Sequence, residues 1–190
     1  MPIQLIVGLA NPGKEYAATR HNVGAWWLQA LCDQNHINLQ VQSKLQTVLG
    51  QGSLQQAKFR CAIPTTFMNH SGQAVAKIAQ YFDIPAEEIL VVHDELDFAP
   101  GVIRLKFAGG HGGHNGLRDI IPQLGSEKFH RLRIGIGHPG NKDLVADYVL
   151  GNPSKHDQKI IETAIQDSLN LLPAILAGDW QTAMNQLHQV

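Results

Sequence analysis

Ten histidines in 190 residues set the first chemical question, because imidazole is the side chain that most readily serves as base, acid or metal ligand near neutral pH. Four of them sit beside groups that could work with them: His21-Asn22, His93-Asp94, and the run Gly109-Gly110-His111-Gly112-Gly113-His114-Asn115-Gly116. Asn11 follows an apolar run, and Asn69 follows Phe67-Met68. A histidine and an aspartate drawn from distant parts of the chain make a general base and the carboxylate that orients it. Asparagines can fix a water or an oxyanion, since the amide offers donor and acceptor without charge. Taken one at a time, each asparagine reads equally well as a turn residue or helix cap. Histidine with carboxylate is also the vocabulary of zinc and manganese, and on the residues alone a metal site stays open. Neither an H-E-x-x-H motif nor a dense carboxylate set of the two-metal kind occurs.

Other chemistries are excluded more firmly. A serine hydrolase elbow, G-x-S-x-G, is missing. Cys32 lies in an amphipathic pattern and Cys61 in a strand-like run, both ordinary places for a small buried hydrophobe. Two cysteines 29 positions apart do not make a disulfide scaffold and fit a reducing cytosol. The N-terminus lacks the basic flank of a signal peptide, and no apolar run approaches the ~18 residues of a membrane helix, so a soluble cytoplasmic protein is expected. Gly135-Ile136-Gly137-His138-Pro139-Gly140 matches the dinucleotide pattern G-x-G-x-x-G, but no following strand with an acidic end appears. It reads as a strand-end turn.

Net charge is −1, which conceals an uneven distribution. Residues 1–103 sum to −2 and residues 134–190 to −3, whereas residues 104–133 sum to +4 through Arg104, Lys106, Arg118, Lys128, Arg131 and Arg133. A basic strip inside a neutral protein either is solvated surface or grips a phosphate backbone locally.

The elements that must carry these residues follow from periodicity. Ile3–Leu9 is a buried-strand run ending in a Gly/Pro turn, and Val23, Trp26, Trp27, Ala30 and Leu31 have helical spacing. Gly-punctuated strands are expected between 45 and 63, then a helix through Val75, Ile78, Ala79 and Phe82 with Ser71 in its N-cap region. Ile89–Val92 is a strand ending at Asp94, and Val102–Phe107 is another. Leu117, Ile120, Ile121 and Leu124 predict a helix opened by Asn115; Arg131–Ile136 predicts a strand with one basic face. The last 48 residues read as helical, with Pro173 ending or kinking a long helix from about Ser154. The expected class is α/β: one domain over residues 1–190, a mixed sheet flanked by helices on both faces. Ligand sites in such sheets gather where strands end, which is where the polar residues fall.

In these residues the sequence resembles the bacterial peptidyl-tRNA hydrolase family. The matching blocks are Gly8–Gly13 with Tyr16, Arg20–Gly24, Pro64–Gly72, His93–Asp97, Gly109–Leu117 and Phe129–Gly140, in the family's order. The resemblance implies a monomeric α/β esterase, without metal or other cofactor, that cleaves the ester between a peptide and the 3′ end of tRNA. His21 would match the general base, Asp94 its orienting carboxylate, and Asn69 and Asn115 residues that bind the tRNA end and position water or carbonyl. Asn11 would match the position that separates N-blocked from free aminoacyl-tRNA. Tyr16 and Phe67, with Met68 in the same wall, would meet the 3′-terminal nucleotide. Lys106 and Arg133 would clamp the 5′ phosphate; Arg104 stands where lysine is commoner. A metal-dependent phosphoesterase and a non-catalytic RNA-binding relative are the competing classes.

Overall fold

The computed structural model describes residues 1–187. Among them seven strands form one sheet: β1 (Leu5–Gly8), β2 (Gln40–Gln42), β3 (Thr47–Leu54), β4 (Ala57–Pro64), β5 (Ile89–Glu95), β6 (Ile103–Phe107) and β7 (His130–Gly135). Their order across the sheet is β2-β3-β4-β1-β5-β7-β6. The four strands β4, β1, β5 and β7 run parallel; β3 and β6 join them antiparallel, and β2 pairs antiparallel with β3. The helices are α1 (Val23–Gln34), α2 (Ser71–Tyr81), α3 (Asn115–Leu124), α4 (Val145–Val149), α5 (Lys155–Ser168), α6 (Leu172–Ala177) and α7 (Trp180–Leu187).

Alternation along the inner strands feeds two cores. Ile6, Leu90, Val92, Leu132 and Ile134 face a layer that includes Trp27, Leu31, Ile161 and Ile175 from α1, α5 and α6. Leu5, Val7, Ile89 and Val91 face Val75, Ile78, Leu117 and Ile120 from α2 and α3. Strands buried on both faces read as continuous apolar runs, which is why β1 and β5 are legible from sequence. None of the described helices is long and apolar enough to cross a membrane.

One close approach sets the site. A Cβ on Gly24 would lie 2.2 Å from Val92 O, and one on Gly8 would lie 2.6 Å from Gly24 O. With no side chains between them, α1 sits directly on β1 and β5. That contact brings the turn before α1 to the end of β5.

Several expectations need correction. Ser71 does not cap α2; its Oγ donates back to Met68 O at 2.7 Å, and His70 occupies the N-cap position. The C-terminal region is helical but broken: α5, capped by Ser154, ends at Ser168 rather than at Pro173, which lies in the first turn of α6. There its missing N–H costs nothing. The buried face of α1 comprises Val23, Trp27, Leu28, Leu31 and Cys32, with Trp26 and Ala30 only at its margin. The short, exposed β2 carries no apolar signal. The basic face of β7 is not uniformly solvated: Arg131 is 2% exposed, whereas Arg133 is half-buried.

Candidate active site

Adjacent strands β4, β1 and β5 deliver their following residues to one edge of the sheet, where the chain switches sides. His21 lies in a 3₁₀ turn (Arg20–Asn22) that leads into α1, and Asp94 lies in β5 itself. The His21 Nδ1 is 2.9 Å from Asp94 Oδ1 and 3.1 Å from Oδ2, with both residues buried. On the other side His114 Nε2 reaches Asp94 Oδ1 at 2.8 Å.

The tautomers follow from the partners. The N–H groups of Gly116 and Leu117 donate to His114 Nδ1 at 3.1 and 3.3 Å, so His114 caps α3 and carries its proton on Nε2. It therefore donates to Asp94. His21 donates its Nδ1–H to the same carboxylate, which leaves Nε2 as the basic atom. Burial opposes a charged His21 ring, yet the Asp94 charge and hydrogen bond outweigh it, so His21 titrates above its ordinary 6.5. Burial also opposes the Asp94 charge, but His21 and His114 hold it well below the usual carboxylate range. His93, wholly buried, donates Nδ1–H to Asp94 O at 2.7 Å. Burial and the neighbouring His114 push it down to about 3, so it stays neutral.

His21, Asp94 and His114 also form a candidate metal triad, their ligand atoms lying within 4.8 Å of one another. Donors around a tetrahedral zinc at ~2.1 Å stand about 3.4 Å apart. The 2.8 and 2.9 Å separations are instead those of shared protons, and a metal would have to break both hydrogen bonds. The trio is better built as a carboxylate hub between two rings than as a cage.

The asparagines are oriented by their neighbours. Asn22 holds the Asn11 backbone reciprocally, accepting from its N–H and donating to its C=O, each at 2.9 Å. Asn11 Oδ1 accepts from Met68 N–H at 2.7 Å, which turns its Nδ2 into the free end. Asn115 Oδ1 accepts from Arg118 Nη1 at 2.9 Å, so it too offers Nδ2 as donor. Asn69 is exposed in the 3₁₀ turn before α2.

Two clefts meet at His21 and Asn115. One, about 290 Å³, is lined by Tyr16, Phe67, Met68, Asn69 and Asn11. Tyr16 and Phe67 meet edge to face at 6.2 Å, and Phe67 is 54% exposed, an aromatic surface that the core does not use. The other, about 530 Å³, runs past Asp94 and His114 to Lys106, Arg131 and Arg133. Lys106 is exposed and Arg133 half-buried over the Phe98 ring at 4.8 Å.

All the predicted site residues thus line one groove, yet the basic strip around it is not a single surface. Arg104 lies opposite Arg133 in the sheet but donates to Ile103 O and lines a separate cavity with Asp167. Arg131 turns inward and donates to the carbonyls of Gly109 and Gly110, pinning the glycine-rich loop. His93, His111 and His114, from the blocks His93–Asp97 and Gly109–Leu117 that resemble the family, lie beside His21 and Asp94. His93 and His114 both reach Asp94, while His111 accepts from Gly113 N–H at 2.9 Å within the loop. The direct bond from His114 to Asp94, and the grip of Asn22 on Asn11, could be suspected only from a histidine or asparagine at a helix start. Of the other histidines, His130 stacks on Trp180 at 3.7 Å, and His138 accepts from Gly140 N–H in the turn after β7. His36, His70 and His156 lie outside both clefts, and His188 lies outside the described residues.

The chain matches the family described as Peptidyl-tRNA hydrolase over residues 5–190. It is 54% identical over 187 residues to a peptidyl-tRNA hydrolase of Pseudomonas paraeruginosa, covering 98% of this chain and 96% of that one. A Legionella pneumophila peptidyl-tRNA hydrolase is 53% identical over 188 residues, covering 99% of this chain and 100% of the relative. The crystal structure of peptidyl-tRNA hydrolase from Acinetobacter baumannii superposes with a TM-score of 0.95 at 48% identity, covering 97% of this chain and 94% of that one.

Proposed function

The chain belongs to the peptidyl-tRNA hydrolase family, and from that premise we propose how its groove hydrolyses the ester between a peptide and the 3′ end of tRNA. The observation that carries the reading is the buried His21–Asp94 pair, 2.9 Å apart, at the junction of an aromatic cleft and a basic one. His21 Nε2 takes a proton from water as the water attacks the ester carbonyl. Asp94 steadies the imidazolium that results. The carbonyl oxygen gains negative charge, and Nδ2 of Asn115, with Asn11 and Asn69 at hand, donates to it or to the attacking water. Collapse breaks the ester C–O bond, and the proton on His21 passes to the departing ribose oxygen. An ester leaves more readily than an amide, so activated water suffices without a covalent acyl-enzyme.

Substrate selection follows the groove. Tyr16, Phe67 and Met68 offer a stacking wall to the terminal base, which suits a free single-stranded end. Lys106 and Arg133 take the 5′ phosphate. Asn11, its Oδ1 already engaged by Met68 N–H, presents Nδ2 to the acyl portion and favours a peptide carbonyl over a free ammonium. We assign this activity to a cytoplasmic monomer, a single domain over residues 1–190.

The direct test is incubation with N-acetyl-aminoacyl-tRNA, with and without a chelator. Release of free tRNA and N-acetyl amino acid at the same rate in both is expected; inactivation by chelator would support the metal-dependent class instead, and binding without release the non-catalytic one. A second expectation concerns Arg133→Ala. It should raise KM for full tRNA substrates by about tenfold, with a shallower salt dependence, and leave short oligonucleotide esters unchanged. Equal losses on both would remove the phosphate clamp.

A further inference from the structure

Arg20, the residue before His21, takes no part in the reaction just described, yet its backbone and side chain both tie the turn that carries His21 to a distant segment. Its backbone N–H donates to Gly151 O at 3.0 Å and its Nη1 to Tyr148 O at 2.9 Å. Its guanidinium carbon lies 3.8 Å from the centre of the Tyr148 ring. The Tyr148 hydroxyl donates to Ile136 O at 2.7 Å, just beyond β7. Among the described residues no carboxylate pairs with Arg20, and its Nε is buried without a partner. A guanidinium spent on one carbonyl and one ring, with no acid to neutralise it, is placed for geometry.

What it holds is α4. Ala146 and Val149 line both clefts at His21, and Leu150 follows them into the aromatic one. A five-residue helix is far shorter than the ~12–15 residues at which an isolated helix becomes marginal in water. Gly137 and Gly140, both with positive φ, lead into it, and only Val149 of its residues is fully buried. Its position therefore depends on ties from outside: Val149 enters the core, and polar ties reach Tyr148 from Ile136 O and from the neighbour of His21.

We propose that Arg20 is a positioning residue: through Tyr148 and Gly151 it latches the α4 wall of the groove to the turn that carries His21. The latch joins three pieces distant in sequence: the end of β7, α4 and the start of α1. Its effect is on binding of the substrate against the wall, because α4 left untied must be ordered by the substrate itself. The proton chemistry of His21 is set by Asp94 on the opposite side and does not pass through Arg20. The proposal rests on His21 being the base, and the experiment separates the two.

The test compares Arg20→Met, Tyr148→Leu and the double variant on N-acetyl-aminoacyl-tRNA, with KM, kcat and the pH profile measured for each. Loss of the charge-assisted hydrogen bond to Tyr148 O together with the ring contact predicts a KM raised about tenfold in Arg20→Met; Tyr148→Leu keeps that carbonyl but loses the ring and its bond to Ile136 O, and should raise KM by a few-fold. The change in kcat stays within about threefold and the acid limb of the pH profile does not move. The double variant should fall short of the sum of the singles, since the guanidinium–ring contact is lost in both. Arg20→Lys, which can still donate but cannot lie flat on the ring, should fall between wild type and Arg20→Met. An unchanged KM in Arg20→Met, or additive losses in the double variant, overturns the latch. If His21→Ala is inactive and Arg20→Met keeps its KM, only the latch fails; if His21→Ala is active, the base assignment fails whatever Arg20 does.

Discussion

Replacing His21 with alanine is expected to lower kcat by about a thousandfold, within the range general-base catalysis supplies, while tRNA affinity stays within a few-fold. The expectation follows from what the ring does and does not touch. Its hydrogen bonds run to Asp94 through Nδ1, and its body lines both clefts, so removing it deletes the basic atom without cutting the aromatic or basic ends of the groove. Single-turnover rates and a binding curve on the same purified variant separate the two effects. A rate near that of the parent would sink the assignment. The pH profile supplies an independent check. The base works only when neutral, and burial is overcome by Asp94 so that its proton is held more tightly than in a free imidazole. The rate should therefore climb with pH through an inflection above 6.5 and then level off. A rate unchanged between about pH 8 and about pH 5 is incompatible with His21 as base.

The parts of this fold that sequence makes legible are those governed by local pattern. β1 and β5 declare themselves as apolar runs because both their faces are buried, and Asn11 and Asp94 were expected at strand ends for the same reason. Ser71 misleads because a hydroxyl at a helix start can bond backward to Met68 O instead of forward to the first turn. Arg131 misleads differently. Alternation correctly puts it on the face shared with Arg133, but nothing local says that a loop folds over that face and takes its guanidinium. The clearest limit is the carboxylate hub. Asp94 is separated from His21 by 73 positions and from His114 by 20, and only the seating of α1 on Gly8 and the capping of α3 bring the three together. Family resemblance pointed to His21 and Asp94; the orientation of Asn115 by Arg118 and of Asn11 by Met68 and Asn22 is visible only in three dimensions.

Asp94→Asn is expected to be nearly as damaging as loss of the base, with kcat reduced about a thousandfold or more although the side chain keeps its shape. The carboxylate accepts from two rings at once, His21 through Nδ1 and His114 through Nε2. His114 has no freedom to adapt, because its Nδ1 is already taken by the N–H groups of Gly116 and Leu117 and its remaining nitrogen must donate. An asparagine has one accepting oxygen and one donating amide. His114 claims the oxygen, which turns the amide N–H toward His21 Nδ1 and forces that atom to accept. The His21 proton then moves to Nε2, and a protonated Nε2 cannot take one from water. The loss of charge acts in the same direction. With Asp94 neutral, burial alone acts on His21 and any residual activity should have its acid limb shifted below that of the parent. Folding should survive, since the substitution removes a buried charge rather than creating one. Nitrogen-15 spectra of the imidazole report the outcome directly: Nδ1–H in the parent, Nε2–H in the variant. A variant with parental tautomer and a rate within about tenfold of the parent would mean that Asp94 does not orient the base, and His21 would have to act as a ring held by packing alone.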